Sequence, residues 1–363
     1  MAHDVQLTID GTRYGGWKSV RARRSLEEAA GSFELGVSEI WPEQATPREI
    51  RPFMSCALSI DGETIITGAV DNISTGLMKG DHFFSVTGRD KSADLVDCSA
   101  QHAKGEWRNA RLDQIARDLA AANGVSIKVD ADVGAVFPQW AIQEGESAFD
   151  CIERAARMRG LLLLPDGAGG LVLGKAGTER IQTAIVLGGD DANALECIVS
   201  NDASQRYQTY IVKGQRTGTD TAYGSAASAI KSTAKDAGVT RARTLVIIAE
   251  DETDPAGLKK RAEWEATVRA ARALTVQVMV QGWAHPGGLW RMNRLVPMRA
   301  PALRIERDLL IRDVEYILDR GGTFTRMTLT PAEAYTPQIA PKARRAPRRR
   351  RTRDTGAGDV FSP

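Results

Sequence analysis

The stretch from Thr64 to Ala100 constrains the fold of this 363-residue chain more than any other. An apolar run (Ile65, Ile66, Ala69, Val70, Ile73) meets a turn containing Lys79 and Gly80. A second run, His82 to Thr87, ends in Gly88-Arg89-Asp90-Lys91-Ser92. Two such runs on either side of a polar turn predict antiparallel strands that close a small β unit, with a polar exit into sequence of another kind.

The same period-two signal fills the N-terminal part. Val5, Leu7 and Ile9 alternate with polar residues up to Asp10-Gly11. Phe33, Leu35 and Val37 alternate next, and Cys56, Leu58 and Ile60 lead to a second Asp-Gly at Asp61-Gly62. Asp-Gly pairs supply the positive φ angles that a two-residue hairpin needs. Short alternating segments punctuated by tight turns predict an antiparallel β-barrel over residues 1–97.

The period then changes. Leu112, Ile115, Ala116 and Leu119 mark one helical face, stopped by Asn123-Gly124. Ser147, with Asp150 three residues on, opens a second helix through Phe149, Ile152, Ala155 and Ala156 to Gly160. A hairpin follows, with arms at 161–164 and 171–173. Residues 98–177 therefore read as an α+β module.

From 178 to 337 the β signals return and predict a second β-barrel. It is interrupted by a small, polar, Gly/Ala-rich stretch, 217–239, expected to be a mobile loop, and by a helix over 255–272 opened by Asp254-Pro255. A closing pair of strands, 308–318 and 323–330, echoes the first barrel. Gly68 to Ile73 lines up with Arg312 to Ile317, and His82 to Thr87 with Thr323 to Thr328, which suggests an internal duplication. The expected fold class is mainly β with α+β: two small antiparallel β-barrels flanking an α+β module, ending in a basic disordered tail over 338–363.

With 42% hydrophobic and 26% charged residues, the chain has the balance of an ordinary soluble protein. No apolar run approaches membrane-spanning length, and Met1-Ala2-His3-Asp4 lacks the basic and apolar regions of a signal peptide, so neither export nor membrane insertion is expected. Cys56, Cys98, Cys151 and Cys197 show no C-x-x-C pairing and are expected to be free thiols in a reducing cytoplasm. The net charge of +2 conceals an asymmetry: eight basic residues fall between Lys342 and Arg353, and without them acidic residues outnumber basic ones. The basic character belongs to a tail, expected to be solvated, rather than to a nucleic-acid-binding surface.

Few residues offer chemistry. Gly169 to Ala176 nearly spells a phosphate-binding loop, but its interior is Leu171-Val172-Leu173, a strand, and Ala176 has no hydroxyl for magnesium. His3, His82, His102 and His285 have no metal-ligand spacing and read as structural imidazoles. Cys98 and Cys151 have no neighbouring histidine that would make a thiolate pair. Carboxylates at Asp190-Asp191 and along residues 250–254 sit in polar, turn-like contexts and read as solvated loops. Trp283 and Trp290 bracket a loop that either displays aromatics or packs the end of the barrel; packing is the expectation. Catalytic, cofactor-binding and metal-ligating residues are accordingly expected to be absent.

Gly88 to Ser99, GRDKSADLVDCS, resembles the segment that closes the first barrel in baseplate hub proteins of Mu-type contractile-tailed bacteriophages. The resemblance covers roughly residues 1 to 335. It is carried also by Gln143 to Asp150, by Ser204 to Tyr207 with Ile211 to Gly214, and by Trp290 to Val296. It implies a structural hub and not an enzyme, related also to the hub part of type VI secretion spike proteins. The expected location is the virion tail baseplate, with assembly in the host cytoplasm. The implied partners are the chain itself as a homotrimer, the central spike protein, the tail tube and other baseplate proteins, with passage of DNA through the channel as a further contact. A tail tube is built of sixfold rings and a spike is threefold, so three chains with two similar barrels each would present a pseudo-sixfold face on one side and a true threefold on the other. The alternatives from other classes are a tail-associated peptidoglycan-degrading enzyme and a nucleic-acid-binding protein acting through the arginine tail.

Overall fold

The computed structural model describes residues 3–38, 50–78, 81–177, 179–214, 230–249 and 255–336. Strands β1 (Val5–Ile9) and β2 (Thr12–Tyr14) turn at Asp10-Gly11, with φ of 48° and 80°. After β3 (Ser19–Ser25) and β4 (Ser32–Ser38), β5 (Ser55–Ile60) and the long β6 (Glu63–Met78) turn in the same way at Asp61-Gly62, with φ of 52° and 83°. These are the two hairpins that the Asp-Gly pairs predict. With β7 (Asp81–Asp90) the spatial order is β3-β4-β7-β6-β5-β1-β2, antiparallel throughout.

The next segment holds α1 (Ala93–Asp97), β8 (Glu106–Ala110), α2 (Leu112–Ala121), β9 (Ile127–Val129), β10 (Phe137–Ala141), α3 (Ala148–Met158), β11 (Leu162–Pro165) and β12 (Leu171–Gly174). The side chain of Ser147 accepts the Asp150 N–H at 3.0 Å, capping α3, and Gly160 ends that helix with a φ of 66°. Both long helices bury their periodic faces in a core of their own, with Leu112, Ile115, Cys151 and Ile152 fully enclosed.

The C-terminal part contains β13 (Ile185–Val186), β14 (Ala194–Asn201), β15 (Thr209–Gly214), β16 (Ile230–Lys235), β17 (Thr244–Ile248), α4 (Pro255–Arg272) and β18 (Leu274–Gln281). It continues through β19 (Ala284–His285), β20 (Gly288–Leu289), β21 (Leu295–Ala300), β22 (Ile305–Asp319) and β23 (Gly322–Thr330). Strand β16 corrects the expected loop over 217–239, of which 217–229 lie outside the described residues. It pairs antiparallel with β15, and Ile230 and Ala234 pack with Leu258 and Ala262 of α4. Small residues fit beneath a closely approaching helix, which is why this strand has almost no apolar signature in sequence. The tail over 338–363 also lies outside the described residues.

The molecule is mainly β, and the expected pair of closed barrels is not found among the described residues. One thirteen-stranded sheet runs through both halves, and no pairing among the described residues closes either half on itself. The seam is β22 against β3, from Asp313↔Ser25 to Leu318↔Val20, and a single apolar core extends from Val5 to Leu329 across it. Alternation shows which face of a strand is buried; it carries no information about which distant strand lies alongside.

Within this sheet the halves repeat strand for strand. The first order, β3-β4-β7-β6-β5, is matched by β14-β18-β23-β22-β21. Both long strands carry a register shift at the same place, Asp71 between Val70 and Asn72, and Arg312 between Ile311 and Asp313. Aligning these shifts sets Val70 on Ile311, Ile73 on Val314 and Thr87 on Thr328. The Thr87 match agrees with the sequence alignment of the second arm. The Gly68-to-Arg312 alignment of the first arm is corrected by three residues. Packing is complementary across the repeat: Phe33 faces Gly88 in one half, where Val276 faces Leu329 in the other. A Cβ on Gly88 would meet the Phe33 ring at 2.6 Å, so the large ring requires the missing side chain opposite.

Candidate functional site

Several of the groups that could have carried chemistry are engaged in structure. In the Gly169–Ala176 stretch, Leu171 and Leu173 are fully buried in β12, which pairs with β11 and, in parallel, with β9. The preceding turn is folded around its own carboxylate: Asp166 accepts the N–H groups of Ala168 (2.7 Å) and Gly170 (2.8 Å). Donors that would cradle a phosphate are therefore already used.

The histidines are separated. His3 stacks on Trp283 with centroids 4.8 Å apart and meets Asp61 at 2.6 Å. His102 stacks on Trp107 at 4.2 Å. His285 accepts the Gly287 N–H at 3.1 Å, and burial pushes its pKa below the usual imidazole value. The side chain of His82 lies outside the described set. Among the described residues no group of three His, Cys, Asp or Glu could hold a metal.

The tryptophans pack inward. Trp283 is fully buried and donates its indole N–H to the Ile317 carbonyl at 3.0 Å. The Tyr316 hydroxyl donates to the Trp290 carbonyl, and its ring meets Trp283 edge-on at 6.1 Å. These rings fill the end of the C-terminal half instead of facing a ligand.

Asp190 and Asp191 are exposed, and residues 250–254 lie outside the described set. The buried carboxylates have structural partners. Asp90 accepts the N–H groups of Gly31 and Thr67, both at 2.9 Å; burial raises its pKa, and nearby Arg24 opposes that shift. Glu265 is held between Arg261 at 2.8 Å and Arg269 at 2.9 Å on one face of α4. A shallow depression of about 670 Å³ beside His102 contains one carboxylate, Glu144, whereas glycoside hydrolysis needs two across the scissile bond. The thiols of Cys56 and Cys151 are pushed by burial to about 12 and about 11. Both are poor nucleophiles at neutral pH.

What the fold leaves unfinished is at strand edges. Among the described residues β14 pairs only with β18, and Leu195 and Ile198 stand more than half exposed along it. Among the described residues β5 pairs with β6 only as far as Ala69, and Leu77 is 83% exposed. Open edges carrying aliphatic side chains are binding surfaces for another strand, or aggregation hazards where nothing covers them.

Protein-family models match in three places: "Mu phage baseplate assembly protein GpP-like, N-terminal" over residues 4–90, "Baseplate hub protein gp44-like, second domain" over 92–175, and "Mu phage baseplate assembly protein GpP, fourth domain" over 254–338. The baseplate hub protein gp44 of Escherichia phage Mu is 35% identical over 345 residues, covering 92% of this chain and 89% of that one. The 43 kDa tail protein of prophage MuSo2 from Shewanella oneidensis superimposes with a TM-score of 0.82 at 29% identity, covering 92% of this chain and 99% of that one. The tail protein from Neisseria meningitidis MC58 gives 0.79 at 22% identity over 93% and 99%. A likeness of fold alone extends to the E. coli c3393 protein, a component of the type VI secretion system, with a TM-score of 0.56 at 10% identity over 92% of this chain and 80% of that one.

Proposed function

Because this chain belongs to the family of Mu-type baseplate hub proteins and is a structural component of the phage tail rather than an enzyme, we propose that it works as a homotrimer joining the sixfold tail tube to a threefold central spike. The observation that carries this reading is the repeat within the sheet. One chain holds two halves of the same strand order, set side by side at the β22–β3 seam. Three such chains offer six similar units to a sixfold ring while retaining a true threefold axis for the spike. The domain plan that goes with it is a first sheet half, the α+β module, and a second half carrying β15–β17 and α4. Burial of Leu95 with the module core supports counting α1 with the module.

Tail tube, spike and other baseplate proteins are the proposed partners, and DNA would pass along the threefold axis. No residue is assigned a catalytic, cofactor or metal role. Among the described residues no helix is long and apolar enough to cross a membrane. Size-exclusion chromatography with light scattering tests the proposal: the purified chain should have three times the monomer mass, and a stable monomer at micromolar concentration would contradict it. The same preparation should leave peptidoglycan uncut. Turnover of cell wall would favour the hydrolase reading instead.

A further inference from the structure

The joint between the sheet and the α+β module holds a buried guanidinium beside a carboxylate that is engaged elsewhere. We propose that this joint is a two-position latch: Asp166 of the module pairs with Lys128 in the arrangement seen here and with Arg24 of β3 in a second one, which draws the module turn onto the sheet. This inference goes beyond the hub reading and does not depend on the trimer.

Arg24 lies opposite Val314 at the sealed seam. By the alternation of β3 it shares the inward face with Val20 and Ala22, which are completely buried. Its guanidinium ends under the module: a Cβ on Gly167 would meet Nη1 at 2.5 Å. Gly167 has a φ of 86°, so both backbone and space keep that position free of a side chain. The Nε and Nη2 atoms of Arg24 are sealed from solvent and have no hydrogen-bond partner. Burial lowers the pKa of this guanidinium, opposed from a distance by Asp90, Tyr316 and Asp166, while Arg291 adds like charge. A buried cation held only by its neighbours' fields is costly, and a directly paired one is much less so.

Of the two carboxylates, only one is free to change partner. Asp90 belongs to β7 of the same sheet, and each of its oxygens already accepts a backbone N–H, from Gly31 and from Thr67, both at 2.9 Å. Asp166 sits on the module turn. Its Oδ1 accepts the N–H groups of Ala168 and Gly170. Its Oδ2 has Lys128 Nζ at 2.9 Å as a charge contact, but no aligned hydrogen bond. One sealed acceptor on the module and two sealed donors on the sheet therefore lie beside the same glycine. The Lys128 side chain is 59% exposed and that of Asp166 3%, so the pair in place serves a lysine that water can solvate as well. Exchanging Lys128 for Arg24 returns the lysine to water and gives the buried guanidinium a fork-shaped partner. Leu164, two residues before Asp166, packs with Leu26, two residues after Arg24. Exchange at Asp166 thus shifts the β11–β12 hairpin against the seam, and such a joint with two discrete packings lets docking on the module be felt in the sheet.

Hydrogen exchange of the full chain and one crystal structure test the latch. Lys128→Met removes the exposed partner; Asp166 should turn to Arg24, and the Ala168 and Gly170 amides that Asp166 holds should exchange no faster than in wild type. Arg24→Met should also leave them unchanged, because Lys128 remains. The double variant should exchange at least tenfold faster there, since Asp166 then has neither partner. If Lys128→Met alone is as fast as the double variant, or the double variant is no faster than wild type, Asp166 has no second position and the latch is wrong. Should Arg24→Met fail to fold, the crystal structure of Lys128→Met decides by itself. An Asp166 oxygen within hydrogen-bond distance of Arg24 Nε or Nη2 supports the latch, and an Asp166 that has not moved contradicts it.

Discussion

The α+β module and the sheet that flanks it differ in where their contacts lie along the chain. In the module, helix α2, strand β9, helix α3 and the β11–β12 hairpin follow one another and share one core between Leu95 and Leu173. In the sheet, β3 is sealed by β22, nearly three hundred positions later, and one core unites residues from Val5 to Leu329. The module can be assembled from neighbours. The sheet exists only when both ends of the chain have met, so its loop-closure cost is larger and its stability is shared across the whole molecule.

Each region holds a buried thiol that reports on it: Cys56 in the sheet core and Cys151 in the module core. Labelling rates of the two therefore separate local opening of one region from the other. The largest expected effect is Tyr316→Ala, which removes a buried ring against Trp283 and its hydrogen bond to Trp290. It should cost about 3–5 kcal/mol and speed the labelling of Cys56 well before that of Cys151. Equal acceleration at both thiols would show that the two regions unfold as one. Next, Ile152→Ala in α3 should cost about 2–5 kcal/mol with the opposite preference, Cys151 opening first. Ser147→Ala removes only the α3 cap and should lower stability by about 1 kcal/mol, seen as faster amide exchange in the first turn of α3 and nowhere in the sheet. The smallest effect is expected from deleting residues 342–363. Melting temperature and oligomeric mass should hardly change, and loss of the trimer would give the arginine tail a structural role.

The same contrast explains what could be read in advance. Ser147, Asp150 and Gly160 mark the ends of α3, and the Asp-Gly pairs mark two hairpins, because caps and tight turns are set by residues a few positions apart. The helix over 255–272 was legible for the same reason. Strand β16 was not, since its small side chains suit a helix that the sequence places many residues away. The seam was illegible as well. Two alternating strands look alike whether they end a barrel or join a distant partner, so the pairing of β22 with β3 could not be anticipated. The duplication itself was visible, although three residues out of register in β6. At the surface, Leu77, Leu195 and Ile198 continue the apolar pattern of core strands, and only their exposure distinguishes them.

The central claim is that two similar halves per chain, in three chains, make a ring with six comparable units and threefold symmetry. Electron microscopy of the purified oligomer, averaged without imposed symmetry and viewed down its axis, tests it most directly. The account predicts a closed ring of six similar lobes that alternate around a threefold axis, with the α+β modules repeating three times. A monomer, an open filament, or a ring whose lobes do not number six would contradict it.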